Sequence, residues 1–396
     1  RNLSLCIVLL CLSACLAGSV WSANITSPEG MSPDAAFGHS VSVSGGWAVV
    51  GAPYQWNNAS DWLAVGAAYM LYLDQGIWTH HSRLDVGQGY NCTGAAVAID
   101  GDWVAVSSPG DYPSPVIATV SLFKREGDSW TLMQQVGPSQ EGAISVALAA
   151  DVLAIGYPAV GHLDMYRRVN GVYQQERSLR SNAMHLGQSL ALAKDGTRVV
   201  AGGSWPAQPG DITGMGGATV YDYHTDKADW RRAGAAEDVC RKASSMAVAI
   251  AADGLTFALS CPSVLDTSTR RDAGLVEIYQ KDPDSSVNFI TVASMRGDQG
   301  NKAEFGTSLC YDHSAAEGEE VLVVGAPHEN SDQGSVFVYK AQGVEYTLDS
   351  RQVMGQVGQL GASLTIDNGT IMAGAPVYSD PTGDGEEGEV VVFNVI

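Results

Sequence analysis

Phe37-Gly38-His39-Ser40-Val41-Ser42-Val43-Ser44-Gly45-Gly46-Trp47-Ala48-Val49-Val50-Gly51-Ala52-Pro53 decides the fold. Ser40 to Val43 alternates small and branched residues, a period of two that specifies a strand and not a helix. Ser44-Gly45-Gly46 is a short turn, and Trp47 to Val50 is an apolar run that reads as a second strand. The phrase returns almost intact at Phe305-Gly306-Thr307-Ser308 leading to Gly325-Ala326-Pro327, and at Leu360-Gly361-Ala362-Ser363 leading to Gly374-Ala375-Pro376. Four weaker copies fill the gaps. They run from Gly94-Ala95 to Ser107-Ser108-Pro109, Gly142-Ala143 to Gly156-Tyr157-Pro158, Leu186-Gly187 to Gly202-Gly203-Ser204, and Ser244-Ser245 to Ser260-Cys261-Pro262. The period is roughly 45–60 residues, and its variation falls in loops, where insertions cost little closure entropy.

Each copy continues with a third apolar run after a glycine, such as Ala68 to Tyr72, Ala218 to Tyr221, Ser335 to Tyr339 and Glu389 to Phe393. A fourth run opens on an aromatic: Trp78, Trp130, Tyr173, Trp230, Phe289 or Tyr346. Four antiparallel strands repeated radially predict an all-β fold, a seven-bladed β-propeller. Small residues in the first strands suit a crowded position near the ring axis. The seventh copy reaches Ile396 after its third strand. Trp21 to Ile25 is expected to supply the missing fourth strand, since Trp21 lies 17 residues before Gly38 as Phe289 lies 17 before Gly306. The alternative is an N-terminus that pairs with nothing.

No composition break separates the copies, so residues 18–396 are expected to form a single propeller domain, with 45% hydrophobic residues for its core and 45 glycines for its turns. Residues 1–17 read as a signal peptide: Leu3 to Ala17 is apolar, follows Arg1, and is short for a membrane span. Cleavage after Ala17 keeps Trp21, and cleavage after Ala23 removes it; Leu12-Ser13-Ala14-Cys15 also resembles a lipoprotein signal. A secreted or extracellular-surface location is therefore expected. Sequons at Asn24, Asn58, Asn91 and Asn368 agree with it. Four cysteines remain beyond the leader. Cys240 and Cys261 flank the first two strands of the fifth copy and are expected to form a disulfide; Cys310 reads as a buried thiol, and Cys92 has no obvious partner. The net charge of −21 argues against nucleic acid and anionic membrane surfaces, which need basic patches.

The Phe-Gly…Gly-Ala-Pro pattern resembles the FG-GAP repeat of integrin α-subunit propellers and of many secreted proteins. The resemblance implies a seven-bladed propeller, usually extracellular, used in adhesion or ligand binding. It also implies calcium, held in some copies by an Asp-x-Asp-x-Asp-Gly turn between the first two strands. Here those turns are Ser44-Gly45-Gly46, Asp100-Gly101-Asp102, Lys194-Asp195-Gly196 and Asp367-Asn368-Gly369, too short or too poor in carboxylates for that cation. Glu317-Gly318-Glu319-Glu320 lacks the spacing, and Asp380, Asp384 and Glu386 are weak metal candidates in a different loop that reads first as a solvated acidic turn. No metal or other cofactor is assigned.

The long loops after Gly-Ala-Pro all emerge on one face of the ring. They carry Tyr54, Trp56, Asp61 and Trp62 in the first copy, Asp111 and Tyr112 in the second, Trp205 and Asp211 in the fourth, Glu329 and Asp332 in the sixth, and Tyr378 and Asp380 in the seventh. Aromatic faces beside carboxylates can stack on sugar rings or anchor a basic peptide, and they can equally pack onto neighbouring blades. Trp47, Trp78, Trp103, Trp130 and Trp230 recur at equivalent positions and read as packing. Arg296-Gly297-Asp298 reads as an ordinary turn despite spelling an integrin-ligand tripeptide. His80 and His81 are expected on opposite strand faces, unable to share a metal. The function expected is non-enzymatic binding of an extracellular protein or glycan. The alternatives are a polysaccharide lyase or glycosidase, for which no carboxylate pairing is recognisable, and a scaffold subunit of a surface assembly.

Overall fold

The computed structural model describes residues 22–395, except 33, 57–64, 87–91, 111–117, 140–144, 182–183, 206–214, 242–245, 264, 267–270, 286–287, 298–302, 313–319, 354–357 and 377–387. The expected signal peptide and Trp21 lie outside these residues.

Seven four-stranded antiparallel sheets form a ring. The first strands are Ser40–Ser44, Val97–Asp100, Ser145–Ala149, Met184–Leu192, Val248–Ile250, Leu309–Tyr311 and Ser363–Asp367, one per blade. In six blades the four strands follow in chain order. In the seventh, the outer position is taken by Ser22–Thr26, which pairs antiparallel with Glu389–Asn394 in a register that sets Asn24 opposite Val391. The two ends of the chain thus share one sheet, as expected.

The apolar core is divided into seven clusters, each lying between two adjacent blades. Trp47, Val49 and Met70 of blade one meet Val104, Val106 and Phe123 of blade two. Ala48, Val50 and Leu71, from the opposite face of the same sheet, meet Met372, Val390 and Val392 of blade seven. Each sheet is therefore buried on both faces, which is why its second strand is an unbroken apolar run such as Trp47–Ala52.

The Phe-Gly…Gly-Ala-Pro phrase is the joint between blades. Ser40 donates its hydroxyl to the Gly94 carbonyl of the next blade at 2.8 Å. Ser145, Ser308 and Ser363 do the same to Gly187, Gly361 and Gly38 at 2.6, 2.6 and 2.7 Å. The Gly-Ala-Pro glycine of each donor blade lies under that same carbonyl: a Cβ on Gly51, Gly156, Gly325 or Gly374 would overlap the oxygen of Gly94, Gly187, Gly361 or Gly38. The glycine before the third strand does likewise for the Phe position, with Gly274 against Phe305 and Gly388 against Phe37. Close backbone approach explains Gly51, Gly156, Gly325 and Gly374, and acts together with a left-handed φ of 77° and 84° at Gly274 and Gly388.

Two features were not legible beforehand. Six outer strands carry a bulge at the same place, opposite Met70/Leu71, Leu122/Phe123, Met165/Tyr166, Val220/Tyr221, Ile278/Tyr279 and Val338/Tyr339. A bulge raises the local twist and re-aims side chains. The place of the expected disulfide in the ring is the second. Cys240 and Cys261 are bonded, with Cα atoms 5.6 Å apart. Cys240, however, sits on the outer strand Asp229–Arg241 of blade four, and Cys261 ends the second strand of blade five. The bond staples two blades and does not close a hairpin. Replacing both cysteines by serine is expected to lower unfolding stability by about 2–4 kcal/mol, measured by denaturant titration under non-reducing conditions. An unchanged midpoint would show that the staple contributes nothing.

Candidate functional site

The ring offers two candidate surfaces, the loop face after Gly-Ala-Pro and the central channel. On the loop face, Tyr54, Trp56, Glu329, Asp332 and the backbone of Trp205 are described. Asp61, Trp62, Asp111, Tyr112, Asp211, Tyr378, Asp380, Asp384 and Glu386 lie outside the described residues, as do the sequons Asn58 and Asn91.

The base of the first loop is firmly built. Gln55 is buried; its Oε1 accepts from the Ser32 amide at 3.1 Å, its Nε2 donates to the Trp56 carbonyl at 2.9 Å, and its own carbonyl accepts from Val65 and Gly66, both at 3.0 Å. The Trp56 amide donates to Ser32 Oγ at 3.0 Å. Residues 28–36, which lead from the closing strand into blade one, thus anchor this loop. Trp56 is half-buried, and Tyr54 is exposed with its ring edge-on to His39 at 6.0 Å. Burial lowers the pKa of the His39 imidazole beside Tyr54.

Blade six differs from expectation. Glu329 is not an accessible carboxylate: it is buried and paired with Arg351 at 2.8 Å. It opens a four-residue helical turn, Glu329–Asp332, in which Asn330, Ser331 and Asp332 all take left-handed φ values of 53°, 60° and 66°. His328 holds this turn through Asp332 at 2.7 Å and lies 3.7 Å from Glu304. Non-glycine residues in this region are uncommon, and three in a row are held here by the surrounding bonds.

The channel is lined by all seven first strands and encloses about 510 Å³. Its wall mixes small residues with Val, Leu and Ile, and polar rungs cross between neighbouring strands. Ser42 accepts from the Ile99 amide, Ser44 from Gly101, Thr365 from Val43, Asp367 from Gly45, and Asp312 from Gly369, at 2.8–3.2 Å. These bonds satisfy amides of the inner strands (Val43, Ile99) and of the turns that follow them (Gly45, Gly101, Gly369). Asp100, Lys194, Asp367 and Asn368 also line the channel. Burial holds the Asp100 carboxyl above the usual range, against the opposing pull of the Ala150 amide and Arg168. Further in, Tyr311 bonds Tyr346 at 2.9 Å, and Tyr346 reaches Glu320 at 3.3 Å. Burial raises both phenols, and burial with the nearby Asp253 raises Glu320. The sequon Asn368 is exposed in the turn between the last blade's first two strands, and Asn24 is exposed on the closing strand.

The carboxylates in the turns between first and second strands, where the resemblance implied calcium, have internal partners. Asp102 pairs with Arg125 and Asp151 with Arg168; these guanidinium groups lie over Trp47 and Trp103 of the preceding blades. Asp195 accepts from the Thr197 amide and hydroxyl, and Asp253 from Leu255 and Thr256. Among the described residues no group of three or more His, Cys, Asp or Glu is arranged to hold a metal. His81 is the extra residue of the blade-one bulge, so strict alternation fails there. The two imidazoles nonetheless diverge: His80 donates to the Thr26 carbonyl at 2.8 Å and His81 packs against Trp47 at 4.8 Å. The recurring tryptophans pack: Trp47, Trp103 and Trp230 are buried, and Trp78 and Trp130 lie half-buried against neighbouring clusters. In Arg296-Gly297-Asp298, Gly297 abuts Ala273 and Phe305, and Asp298 is outside the described residues. Cys310 lines the channel with its thiol pKa raised by burial, and Cys92 is half-buried at a left-handed φ of 48°.

Comparison with known proteins bears on the repeat and on the fold. An FG-GAP repeat family model matches residues 22–72, which begin at the closing strand and run through the third strand of blade one. No curated protein sequence matches. Among solved structures, a chain from the crystal structure of a mitotic checkpoint complex is similar with a TM-score of 0.59 at 12% identity, over 93% of this chain and 95% of that one. At that identity the likeness shows the fold alone.

Proposed function

We propose, from the premise that this chain is a seven-bladed β-propeller carrying an FG-GAP repeat, that it is a secreted or cell-surface binding module without catalytic activity. Its ligand is an extracellular protein or glycan, and the contact face is the one bearing the loops after Gly-Ala-Pro. One observation supports this reading above the others: four of the seven blades spend the repeat's serine and glycine on a blade joint, while the aromatic residue Tyr54 is left exposed on a loop whose base is pinned by Gln55 and Ser32. A rigid platform presenting aromatic side chains is the usual form of a recognition surface.

Purified protein is screened on glycan and peptide arrays, and the strongest hit is titrated against the Tyr54→Ala/Trp56→Ala variant. Saturable binding that falls at least tenfold in the variant, with no product released from the bound glycan, is expected. Turnover of a polysaccharide, or binding indifferent to both substitutions, would defeat the reading.

A further inference from the structure

Half of the positive charge is gathered on one sector of an acidic molecule. Eleven of the 22 Lys and Arg lie between Arg167 and Lys242 against eight Asp and Glu, in a chain of net charge −21. The fold lines a groove with four of these arginines. Its walls are the outer strands Val172–Arg180 of blade three and Asp229–Arg241 of blade four. Arg177, Arg180, Arg231 and Arg232 line its volume of about 430 Å³, above Tyr221 and Trp230. Asp229 is the carboxylate in the groove; it pairs with Arg177 at 2.8 Å and lies 3.7 Å from Arg231. Glu176, close by, is bound to Arg167 at 2.6 Å and to the Trp230 indole at 2.9 Å. Among the described lining residues one carboxylate stands against four guanidinium groups, and Arg180 and Arg232 are exposed.

Both walls are edge strands. Each stands last in its sheet, so its outward side has no strand beside it, although the Arg180 carbonyl accepts from the Tyr221 hydroxyl at 3.3 Å and the Tyr173 amide and carbonyl bond the Gln134 side chain at 2.9 and 2.8 Å. We propose that this groove binds an acidic segment of another protein in extended conformation, laid along one of these edges as an added strand. Guanidinium forks take carboxylates bidentately, and an added strand projects every second side chain to the same side. The edge supplies main-chain bonds that only another polypeptide can use in register. A glycan fits the groove less well, because sugar rings want open aromatic faces and Trp230 and Tyr221 are buried. This surface is separate from the loop face and holds whether or not that face binds a ligand.

The probe is a fluorescein-labelled peptide of alternating Glu and Thr, about ten residues long, to match a strand. Its anisotropy is followed on titration with the whole protein, alongside a Lys-Thr control and a sulfated oligosaccharide. Saturable binding of the Glu-Thr peptide alone is expected, weakened by salt over a Debye-screening series and reduced at least tenfold by Arg180→Ala/Arg232→Ala. An Arg180→Lys/Arg232→Lys variant is expected to recover part of the binding, and unchanged circular dichroism of all variants excludes loss of fold. The proposal is overturned if the peptide does not bind, if the double alanine variant binds it equally, or if N-methylation of alternate peptide amides leaves affinity unchanged. Tighter binding of the sulfated oligosaccharide than of the peptide also overturns it. So does a concentration-dependent dimer in sedimentation velocity that the same alanines abolish, since the groove's occupant is then a second copy.

Discussion

Gly374→Ala is expected to destabilise the propeller by about 3 kcal/mol or more, although it adds one methyl group. Gly374 lies in the last blade's second strand, where its missing side chain leaves room for the Gly38 carbonyl of blade one. That carbonyl already accepts from Ser363 Oγ at 2.7 Å, and backbone lies directly behind it, so no flexible side chain can yield. The joint must open, and this is the joint that closes the ring. The control is Gly76→Ala, in a hairpin turn at φ 84° with open space around it. There the cost is the left-handed backbone alone, about 1–2 kcal/mol. Urea unfolding of both variants measures the difference. Equal midpoints would mean that close approach between blades is not what the repeated glycine provides.

Removing residues 1–26 is expected to have a comparable or larger effect. The closing strand contributes a five-residue ladder to Glu389–Asn394 and buries Ile25 beside Val390 and Val392. A five-residue antiparallel ladder carries about four to six backbone hydrogen bonds, so at about 1 kcal/mol each, with about 2 kcal/mol for an isoleucine, the loss is about 6–8 kcal/mol, comparable to the whole stability of many domains. The exposed third strand also becomes an unprotected apolar edge, so the truncated protein is expected to aggregate. A synthetic Ser22–Ser27 peptide added in excess is expected to restore solubility in part. A truncated chain that unfolds cooperatively at the full-length midpoint would mean that the N-terminal strand does not hold the ring shut.

The strand order, the blade number and the closure could be read along the chain because each rests on a local period. Ser40 to Val43 alternates, Trp47 to Val50 does not, and the same contrast recurs in register six more times. The packing role of Trp47 and Trp103 was legible on the same ground. The disulfide was legible as a pair but misread as a hairpin clip, because Cys240 belongs to the blade that precedes it. Glu329 looked like a surface carboxylate, since its partner Arg351 lies 22 residues on, across the blade. The bulges gave no warning, as no residue type marks His81, Glu176 or Ala233 as the extra one.

Local alternation of small, branched and aromatic residues was sufficient to dictate seven sheets and their strand order, because each depends on neighbours a few positions apart; the closing strand was legible from the spacing of Trp21 to Gly38, which Phe289 to Gly306 repeats. Which side chains meet was decided by the ring. Ser40 finds Gly94, Arg168 finds Trp103, and Arg177 finds Asp229 only after blades some fifty residues apart are pressed face to face. The free energy of those contacts comes from burying two faces of every sheet at once, a quantity that no single repeat contains.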